Sequence, residues 1–374
     1  MDDSLKISRR EFIKKSSAIT VCASCIPCLN LDTLALSSSH TEARYYEKLK
    51  GNKIQCHLCP WNCVVEPGKK GHCQVRVNRS GTYNTLVYGK ISAYHNDPIE
   101  KKPFYHVLPS TYAFSIASVG CNVDCLFCQN WELARRSLTD VKTVDFTPDE
   151  IVEYAKKVNS TSIAFTYNEP TIFNEFVYDV AEIAQNKGLK TVIVSNGYIN
   201  RRPLLDLVSK IDAYKVDLKA FTQDYYRNVV HGRLEPIKET LITLKQEGIW
   251  SEIVYLIVPT LNDNMDDIKR MCKWIKSELG DDVPVHFSRF YPKYKLRNLP
   301  PTPVKTMVKA RKTALDAGIK FAYLGNIPGH EGENTYCPSC SKTLIRRVGY
   351  RVYENHIKHG KCRYCSENIP GIWD

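Results

Sequence analysis

Three closely spaced cysteines form the part of the sequence best suited to chemistry. Cys121, Cys125 and Cys128 follow one another with C-x3-C-x2-C spacing in the segment GCNVDCLFCQN. Three thiolates on one tight loop are soft ligands, and they suit an iron–sulfur cluster. Because a cubane cluster has four irons and this loop offers three sulfurs, one iron would stay open to a chelating small molecule. An open metal position indicates catalysis more than scaffolding.

The residues before this loop predict where it lies. The apolar run at 112–119 (YAFSIASV) predicts a strand, and Gly120 lets the backbone turn away from that strand at little steric cost. This position matches an active site at the carboxyl end of a barrel strand. A zinc loop completed by a distant fourth ligand and a redox-sensing thiol cluster are the two alternatives for the three cysteines.

The central part of the chain predicts the scaffold for this loop. Strand-like runs alternate with helix-like segments, which is typical of a parallel α/β architecture. Thr147 and Glu150 form a capping box with Pro148 at the first helical position. We predict strands at 112–119, 161–166, 190–194, 212–217, 252–258 and 284–290, a seventh at 319–324, and helices at 172–187, 201–209, 236–247, 264–279 and 303–317. Six such units predict a (β/α)6 partial TIM barrel with its catalytic loops on one rim.

Charge and cysteine content narrow the class of protein. The net charge is +12, but Lys and Arg are scattered over apparent helix faces, so we expect a solvated basic surface without a strong nucleic-acid or membrane signal. The fifteen cysteines fall into compact sets, a pattern that indicates metal binding in a reducing environment rather than disulfides. Cys272 stands alone in a helical pattern and is expected to be buried.

Two cysteine sets flank the central loop. Cys56, Cys59, Cys63 and Cys73 have C-x2-C-x3-C-x9-C spacing and can close around zinc or a second iron–sulfur cluster. Two C-x2-C pairs near the carboxyl end, with a predicted hairpin at 344–353 between them, are typical of a zinc ribbon, with a rubredoxin-like iron site as the alternative. These pairs are Cys337 and Cys340, and Cys362 and Cys365.

The amino-terminal residues predict a leader. The segment from Ser8 to Lys14, SRREFIK, resembles a twin-arginine export signal, and the apolar stretch at 18–36 is too short and too polar to span a membrane. Twin-arginine export is therefore favoured over a cytoplasmic location, with a disordered basic tail on a cytosolic protein as the alternative. Cys22, Cys25 and Cys28 suit this signal region better than a cluster site. The predicted domains are a leader at 1–45, a Cys-rich metal module at 46–105, a core at 106–330 and a zinc-ribbon-like module at 331–374.

Several motifs together resemble a known family. The cysteine loop, with aromatic Phe127 just before its last thiol, resembles the signature loop of the radical S-adenosylmethionine (AdoMet) superfamily, also called radical SAM. Over residues 50–374 the chain is similar to the AmmeMemoRadiSam-system radical SAM enzymes, a family related to pyruvate formate-lyase-activating enzymes. The motifs that carry this resemblance are CHLCPWNC, GHCQVRVN, CNVDCLFCQNWE, FTYNEPT, SNGY, KVDLKAF, HFSRFYP and the final cysteine pairs.

The resemblance implies a cofactor and an activity. A [4Fe-4S] cluster on Cys121, Cys125 and Cys128 would bind AdoMet through its amino and carboxylate groups. Reductive cleavage would give a 5'-deoxyadenosyl radical that abstracts hydrogen from a substrate the resemblance does not identify. Glu169 would hold the AdoMet ammonium, Asp217 and Lys219 would lie near its carboxylate, and His286 would lie close to the adenosyl group. The implied cofactor-binding residues are Phe127, Asn168, Glu169, Ser195, Asn196, Gly197, Asp217, Lys219 and His286.

The resemblance also implies partners. A low-potential donor such as a ferredoxin or flavodoxin would supply the electron, and the family's genomic neighbours include Memo-like proteins. Activation of a glycyl-radical enzyme is the alternative within radical chemistry. A zinc-rich nucleic-acid-binding protein is the alternative of a different class, because of the ribbon and the net positive charge.

Overall fold

The structure is a computed structural model that describes residues 41–374. The twin-arginine motif and Cys22, Cys25 and Cys28 lie outside the described residues. Along residues 41–374, no helix is both long enough and apolar enough to cross a membrane.

The strands are numbered β1 to β20 in chain order. They are β1 Tyr46–Lys48, β2 Ile54–Cys56, β3 Val64–Val65, β4 Arg76–Arg79, β5 Thr82–Thr85, β6 Lys90–Ile91, β7 Ala93–Pro98, β8 Tyr112–Ala117, β9 Val144–Asp145, β10 Ser162–Phe165, β11 Lys190–Ser195, β12 Ala213–Asp217, β13 Trp250–Ile257, β14 Val285–Arg289, β15 Ala322–Gly325, β16 Thr335–Tyr336, β17 Thr343–Val348, β18 Arg351–Asn355, β19 Ile357–Lys358 and β20 Lys361–Cys362.

The main α-helices alternate with the central strands. They span Pro148–Lys157, Asn174–Asn186, Arg201–Val208, Glu235–Gln246, Met265–Glu278 and Val304–Asp316, with short helices at Trp131–Ala134 and Gln223–Tyr225. Short 3-10 turns lie at Lys50–Asn52, Ile99–Lys101, Pro170–Phe173 and Glu331–Glu333, and a π-helical turn lies at Tyr226–Val230. The predicted capping box is confirmed: the Glu150 N–H donates to Thr147 Oγ1 at 3.2 Å, and Glu150 Oε2 accepts from the Thr147 N–H at 2.8 Å.

One eight-stranded sheet organises the chain. Its order is β15-β14-β13-β12-β11-β10-β8-β7. Strand β8 and the six strands β10 to β15 are parallel, and each pairs with the next along the sheet. The predicted alternation and the seventh strand are thus confirmed. The antiparallel β7 extends the sheet beyond β8, although its polar sequence, AYHNDP, predicts no strand. Closure of these units into a (β/α)6 partial barrel stays a prediction.

The two faces of the sheet are covered differently. The larger apolar core lies between the sheet and the helices, where residues such as Ile163, Ile193 and Ile253 are fully buried. On the other face, Phe104 and neighbouring residues of the 99–108 segment pack against small strand residues that include Ala213. Because side chains alternate along a strand, residues at positions 213, 215 and 217 share this second face. The second face therefore carries both buried apolar residues and charged side chains.

Smaller sheets flank the main one. At the amino end β1-β2-β3 form one antiparallel sheet and β4-β5 another, while at the carboxyl end β16-β17-β18 form a third. The predicted hairpin is confirmed as β17 paired with β18. The carboxyl-terminal module contacts the 99–108 segment that covers the second face of the main sheet, because the buried Arg347 guanidinium donates to the Tyr105 carbonyl at 2.8 Å.

A buried ion pair links the amino-terminal module to the main fold. Arg76 on β4 donates to Glu175 Oε2 at 2.5 Å, and both side chains are at most 3% exposed. Removing one partner of a buried pair leaves an uncompensated charge, so we expect Glu175→Ala to lower the free energy of unfolding by about 3–5 kcal/mol. Chemical denaturation of the reconstituted protein measures this change.

The matched control is Asp316→Ala, which removes an exposed i,i+4 pair with Lys312. Exposed pairs of this kind contribute less than about 1 kcal/mol. If Glu175→Ala shifts the unfolding midpoint no more than Asp316→Ala does, the Arg76–Glu175 pair does not hold the module in place.

Candidate active site

The three central cysteines lie in the loop that leaves the carboxyl end of β8. Gly120 begins this loop with φ +102°, a conformation that L residues rarely adopt. A side chain here would also clash, because an added Cβ would lie 2.8 Å from Val75 Cγ1 and 3.1 Å from the Cys73 carbonyl oxygen. Only glycine can turn the backbone at this point, as the sequence predicts.

Asn168 holds the start of the loop in position. Its Nδ2 donates to the Gly120 carbonyl at 3.0 Å, and its Oδ1 accepts from the Ser118 N–H at 3.3 Å. Both polar ends of the side chain are therefore used by the backbone of the cysteine loop. Asn168 therefore stabilises the conformation of the cysteine loop. Its implied contact with a cofactor stays a prediction.

Asn196 links the end of strand β11 to the cysteine loop. It follows β11, and its Nδ2 lies 3.7 Å from Cys121 Sγ and 2.9 Å from Asn122 Oδ1. Asn122 is fully buried and donates in turn to the Tyr198 carbonyl at 2.6 Å. The amide network thus places an N–H donor against one of the three sulfurs, where it would stabilise a thiolate.

Glu169 is a buried carboxylate surrounded by donors. Its Oε1 accepts from the Thr171 N–H, the Thr171 hydroxyl and the Ser195 hydroxyl, at 3.0, 2.7 and 2.7 Å. Its Oε2 accepts from the Asn196 N–H at 2.8 Å. Burial raises the pKa of Glu169, and the donors from Asn196, Thr171 and Ser195 oppose that rise. Among the described residues Oε2 accepts this single hydrogen bond, so it has more room for a further donor than Oε1.

Gly197 completes the turn that carries Ser195 and Asn196. It has φ +71°, and its N–H donates to Ser195 Oγ at 3.0 Å. An added Cβ would lie 3.0 Å from Val216 Cγ1 on the neighbouring strand. The glycine of this SNG segment is therefore set by the backbone conformation and by close packing against β12.

Asp217 lies between two lysines at the carboxyl end of β12. It accepts a short hydrogen bond from Lys215 Nζ and a second from Lys219 Nζ at 3.0 Å. Burial opposes its charge, but the two lysines prevail and lower the pKa of Asp217 to about 2. Lys219 Nζ also lies 5.7 Å from the centre of the Phe127 ring. The structure thus brings Asp217, Lys219 and Phe127 together beside the cysteine loop.

Of the three central cysteines, Cys125 is buried, while Cys121 and Cys128 are partly exposed. Burial raises the pKa of all three, that of Cys125 to about 12, while Lys219 lowers the pKa of Cys125 and Cys128. A thiolate in such surroundings needs a cation to compensate for the loss of hydration. Three soft donors around one buried position fit the ligation of an iron–sulfur cluster.

Among the predicted cofactor-binding residues, His286 makes its contacts away from the cysteine loop. The register of β12, β13 and β14 places it two strands from Asp217 on the second face. Its Nε2 lies 2.6 Å from Glu252 Oε2, and its ring stacks on Tyr323. Burial lowers the pKa of His286, and Glu252 opposes that change. The structure does not bring this ring into contact with the cysteine loop.

The carboxyl-terminal cysteines form a compact tetrad. Cys337 Sγ lies 3.5 Å from Cys365 Sγ, and Cys340 Sγ lies 3.8 Å from Cys362 Sγ. All four sulfurs lie within 4.8 Å of one another. Tetrahedral zinc with bonds of about 2.3 Å places its sulfurs about 3.8 Å apart, so the tetrad fits a single ion of that size.

The amino-terminal cysteines are also brought together. Cys56, Cys59, Cys63 and Cys73 all line one small cavity. The cavity adjoins the central loop, because the Trp61 indole N–H donates to the Asn122 carbonyl at 2.6 Å. Binding of one metal or cluster by these four residues stays a prediction, and their position against the central loop depends on contacts across more than sixty residues.

Sequence reasoning missed several charged and polar groups near the site. Lys215 lies in the same KVDLK segment as Asp217, and the alternation of a strand could have placed both on one face. Lys102 is buried, donates to Asp97 Oδ2 at 2.6 Å and lies 4.4 Å from the centre of the Tyr167 ring. Burial lowers the pKa of Lys102 to about 8 although Asp97 opposes that change. No local pattern predicts this pairing, which depends on β7 joining the main sheet.

Comparison with known proteins adds to this geometry. A family model described as the radical SAM superfamily matches residues 115–275. An uncharacterised protein of Methanocaldococcus jannaschii is 43% identical over 330 residues, which cover 88% of this chain and 98% of that protein. The pyruvate formate-lyase 1-activating enzyme of Escherichia coli is 25% identical over 223 residues, which cover 54% of this chain and 89% of the enzyme.

Among solved structures, a domain of a pyruvate-formate lyase-activating enzyme from Bacteroides vulgatus is similar to this chain with a TM-score of 0.40 and 13% identity. The match covers 45% of this chain and 100% of that domain.

Proposed function

Because the chain belongs to the radical SAM superfamily, we propose that it binds a [4Fe-4S] cluster through Cys121, Cys125 and Cys128 and cleaves AdoMet reductively. The observation that carries the proposal is the thiol triad in the loop at the carboxyl end of β8, where Cys125 is buried and Asn196 lies beside the sulfur of Cys121. When bound, the cluster supplies the electron that splits AdoMet into methionine and a 5'-deoxyadenosyl radical. The alternating units around this site support a partial barrel open on the side of the loop.

The surrounding residues divide the binding of AdoMet between them. Glu169 Oε2 accepts only one hydrogen bond among the described residues, so it is the oxygen of this carboxylate that can receive the ammonium group of the ligand. Lys219 is a cation beside Phe127 and the cysteine loop, so it can face the ligand's carboxylate. Asp217 keeps Lys219 charged, since this carboxylate raises the pKa of Lys219 although burial opposes it. These groups would hold AdoMet beside the cysteine loop that binds the cluster.

An anaerobic reconstitution tests this proposal. The protein should take up iron and inorganic sulfide, and the electron paramagnetic resonance signal of the reduced cluster should change when AdoMet is added. A protein that holds no cluster, or whose reduced signal ignores AdoMet, would remove the basis for the assignment. Tight and salt-sensitive binding of DNA or RNA without this chemistry would favour the nucleic-acid-binding alternative.

Activation of a glycyl-radical enzyme is the second candidate function. It is supported by the similarity to the Escherichia coli activating enzyme over 89% of that enzyme's length. A glycyl radical signal on a co-expressed partner protein would establish it, and consumption of a small molecule or peptide without such a signal would exclude it.

Other components follow from the same proposal. Radical SAM enzymes need a reductant, and a ferredoxin or flavodoxin would be suitable. The family resemblance supports a Memo-like protein as a partner. The SRREFIK segment supports twin-arginine export. The compact tetrad of Cys337, Cys340, Cys362 and Cys365 is proposed to hold structural zinc.

A further inference from the structure

The amino-terminal module contains a second site built from four thiols. Cys56 ends β2, Cys59 and Cys63 lie in the turn that follows, and Cys73 lies in the loop before β4. All four cysteines line one small cavity, together with residues such as Tyr83 and Ile172. Four thiols that line the same cavity indicate a shared ligand.

The separation of the thiols distinguishes between ligands. A single tetrahedral ion with bonds of about 2.3 Å draws all its sulfurs to about 3.8 Å from one another. Across residues 41–374, the carboxyl-terminal tetrad is the only group of three or more metal-ligating side chains whose ligand atoms all lie within 4.8 Å of one another. No three of the amino-terminal sulfurs satisfy this distance, so they are too widely spaced for one zinc ion.

The central loop provides an internal reference for the wider spacing. Cys121, Cys125 and Cys128 also fail to come within 4.8 Å of one another as a group, although they fit cluster ligation. In an iron–sulfur cluster the thiolates bind different irons that are bridged by sulfide, so they stand further apart than around one ion. We infer that Cys56, Cys59, Cys63 and Cys73 hold an iron–sulfur cluster of their own.

The surroundings of the four thiols suit a buried anionic cluster. The His72 N–H lies 3.5 Å from Cys63 Sγ, a backbone donor of the kind that stabilises cluster sulfurs. The fully buried Arg76 guanidinium also lines the cavity. This guanidinium is paired with the buried Glu175 carboxylate.

The second site shares a wall with the first. The Cys73 carbonyl lies 3.1 Å from the position that a Cβ on Gly120 would occupy, and Trp61 donates to the backbone of Asn122. Gly120 and Asn122 flank Cys121, so the amino-terminal cluster would lie beside the AdoMet cluster. Because the two proposed clusters would be neighbours, one must be removed before the iron and sulfide of the other are measured.

The content of inorganic sulfide distinguishes an iron–sulfur cluster from the other ligands, because zinc and rubredoxin-like iron sites contain none. We therefore choose the variant Cys121→Ala/Cys125→Ala/Cys128→Ala, reconstitute it anaerobically with ferrous iron and sulfide, and desalt it. The expected result is retention of iron and inorganic sulfide in equal amounts, about two to four of each per chain, with a thiolate-to-iron charge-transfer absorption. Retention of zinc alone, or of iron without sulfide, would overturn the inference.

Further substitutions assign the retained cluster to its ligands. Adding Cys59→Ser and Cys73→Ser to the triple variant should remove the sulfide, whereas adding Cys272→Ser, a buried thiol on the helix Met265–Glu278, should not. Equal sulfide in all these variants would contradict the assignment. If the Cys59→Ser/Cys73→Ser chain does not fold, the sulfide content of the triple variant alone decides. Because that variant lacks the central thiols, the result is independent of the proposed AdoMet chemistry.

Discussion

Replacing Cys121, Cys125 and Cys128 together with alanine should reduce the formation of 5'-deoxyadenosine from AdoMet to the background rate. The three thiols lie on one loop, and the structure places no other cysteine of residues 41–374 in that loop. A cluster bound by three ligands cannot keep an open, substrate-binding iron once those ligands are gone. The measurement is chromatographic quantification of 5'-deoxyadenosine after anaerobic reconstitution and reduction with dithionite.

The control for this experiment is Cys272→Ala, which removes a buried thiol outside all three cysteine sets. Cavity formation by this change should cost stability without reducing the product per folded, reconstituted chain. Product formation by the triple variant at a substantial fraction of the unmodified rate would show that another site carries the chemistry.

The second large effect is expected in the carboxyl-terminal tetrad. Cys340→Ala or Cys362→Ala should release one zinc ion per chain and unfold the module around β16 to β20. Thiolate ligation of zinc can contribute on the order of 10 kcal/mol to the folding of a small module. The module has only a small core of its own, which includes Leu344 and Ile345. Metal analysis and limited proteolysis after residue 330 measure the two consequences.

The central cysteine loop provides the comparison for this prediction. Because the three central cysteines belong to a separate loop, the same variants should keep the iron and sulfide of the central cluster. Simultaneous loss of zinc and all cluster iron would mean that the sites fold as one unit. An intact, protease-resistant module without bound metal would show that zinc has no structural role there.

Local patterns in the sequence predicted much of the scaffold. The run at 112–119 became β8, and the alternating segments that follow became six further parallel strands separated by helices. The capping box at Thr147 depends on residues three positions apart, so it is visible in the sequence alone. The cysteine sets were likewise recognisable, since metal ligands recur at short and regular spacings.

Features that depend on distant contacts could not be predicted. The polar strand β7 pairs with β8, and only this pairing explains how Asp97 and Lys102 reach Tyr167. The partners of His286 come from Glu252 on β13 and from the aromatic ring of Tyr323. A lone histidine on a strand carries no local signal for either partner. Its predicted contact with the adenosyl group therefore rested on the resemblance alone.

The spacing between thiols is a second feature that sequence left open. The amino-terminal and carboxyl-terminal sets each contain four cysteines, and both motifs are compatible with zinc. Only the structure separates a tetrad whose sulfurs lie within 4.8 Å of one another from a set that does not meet this distance. Side-chain geometry therefore distinguishes ligand types that spacing along the chain does not.

The central claim is that the thiol triad of Cys121, Cys125 and Cys128 supports reductive cleavage of AdoMet. Its most direct test is a single incubation of the anaerobically reconstituted protein with AdoMet and dithionite, followed by quantification of both products. The account predicts 5'-deoxyadenosine and methionine in equal amounts, in excess over samples that lack either protein or reductant. Intact AdoMet in the presence of a full complement of reduced cluster would contradict it.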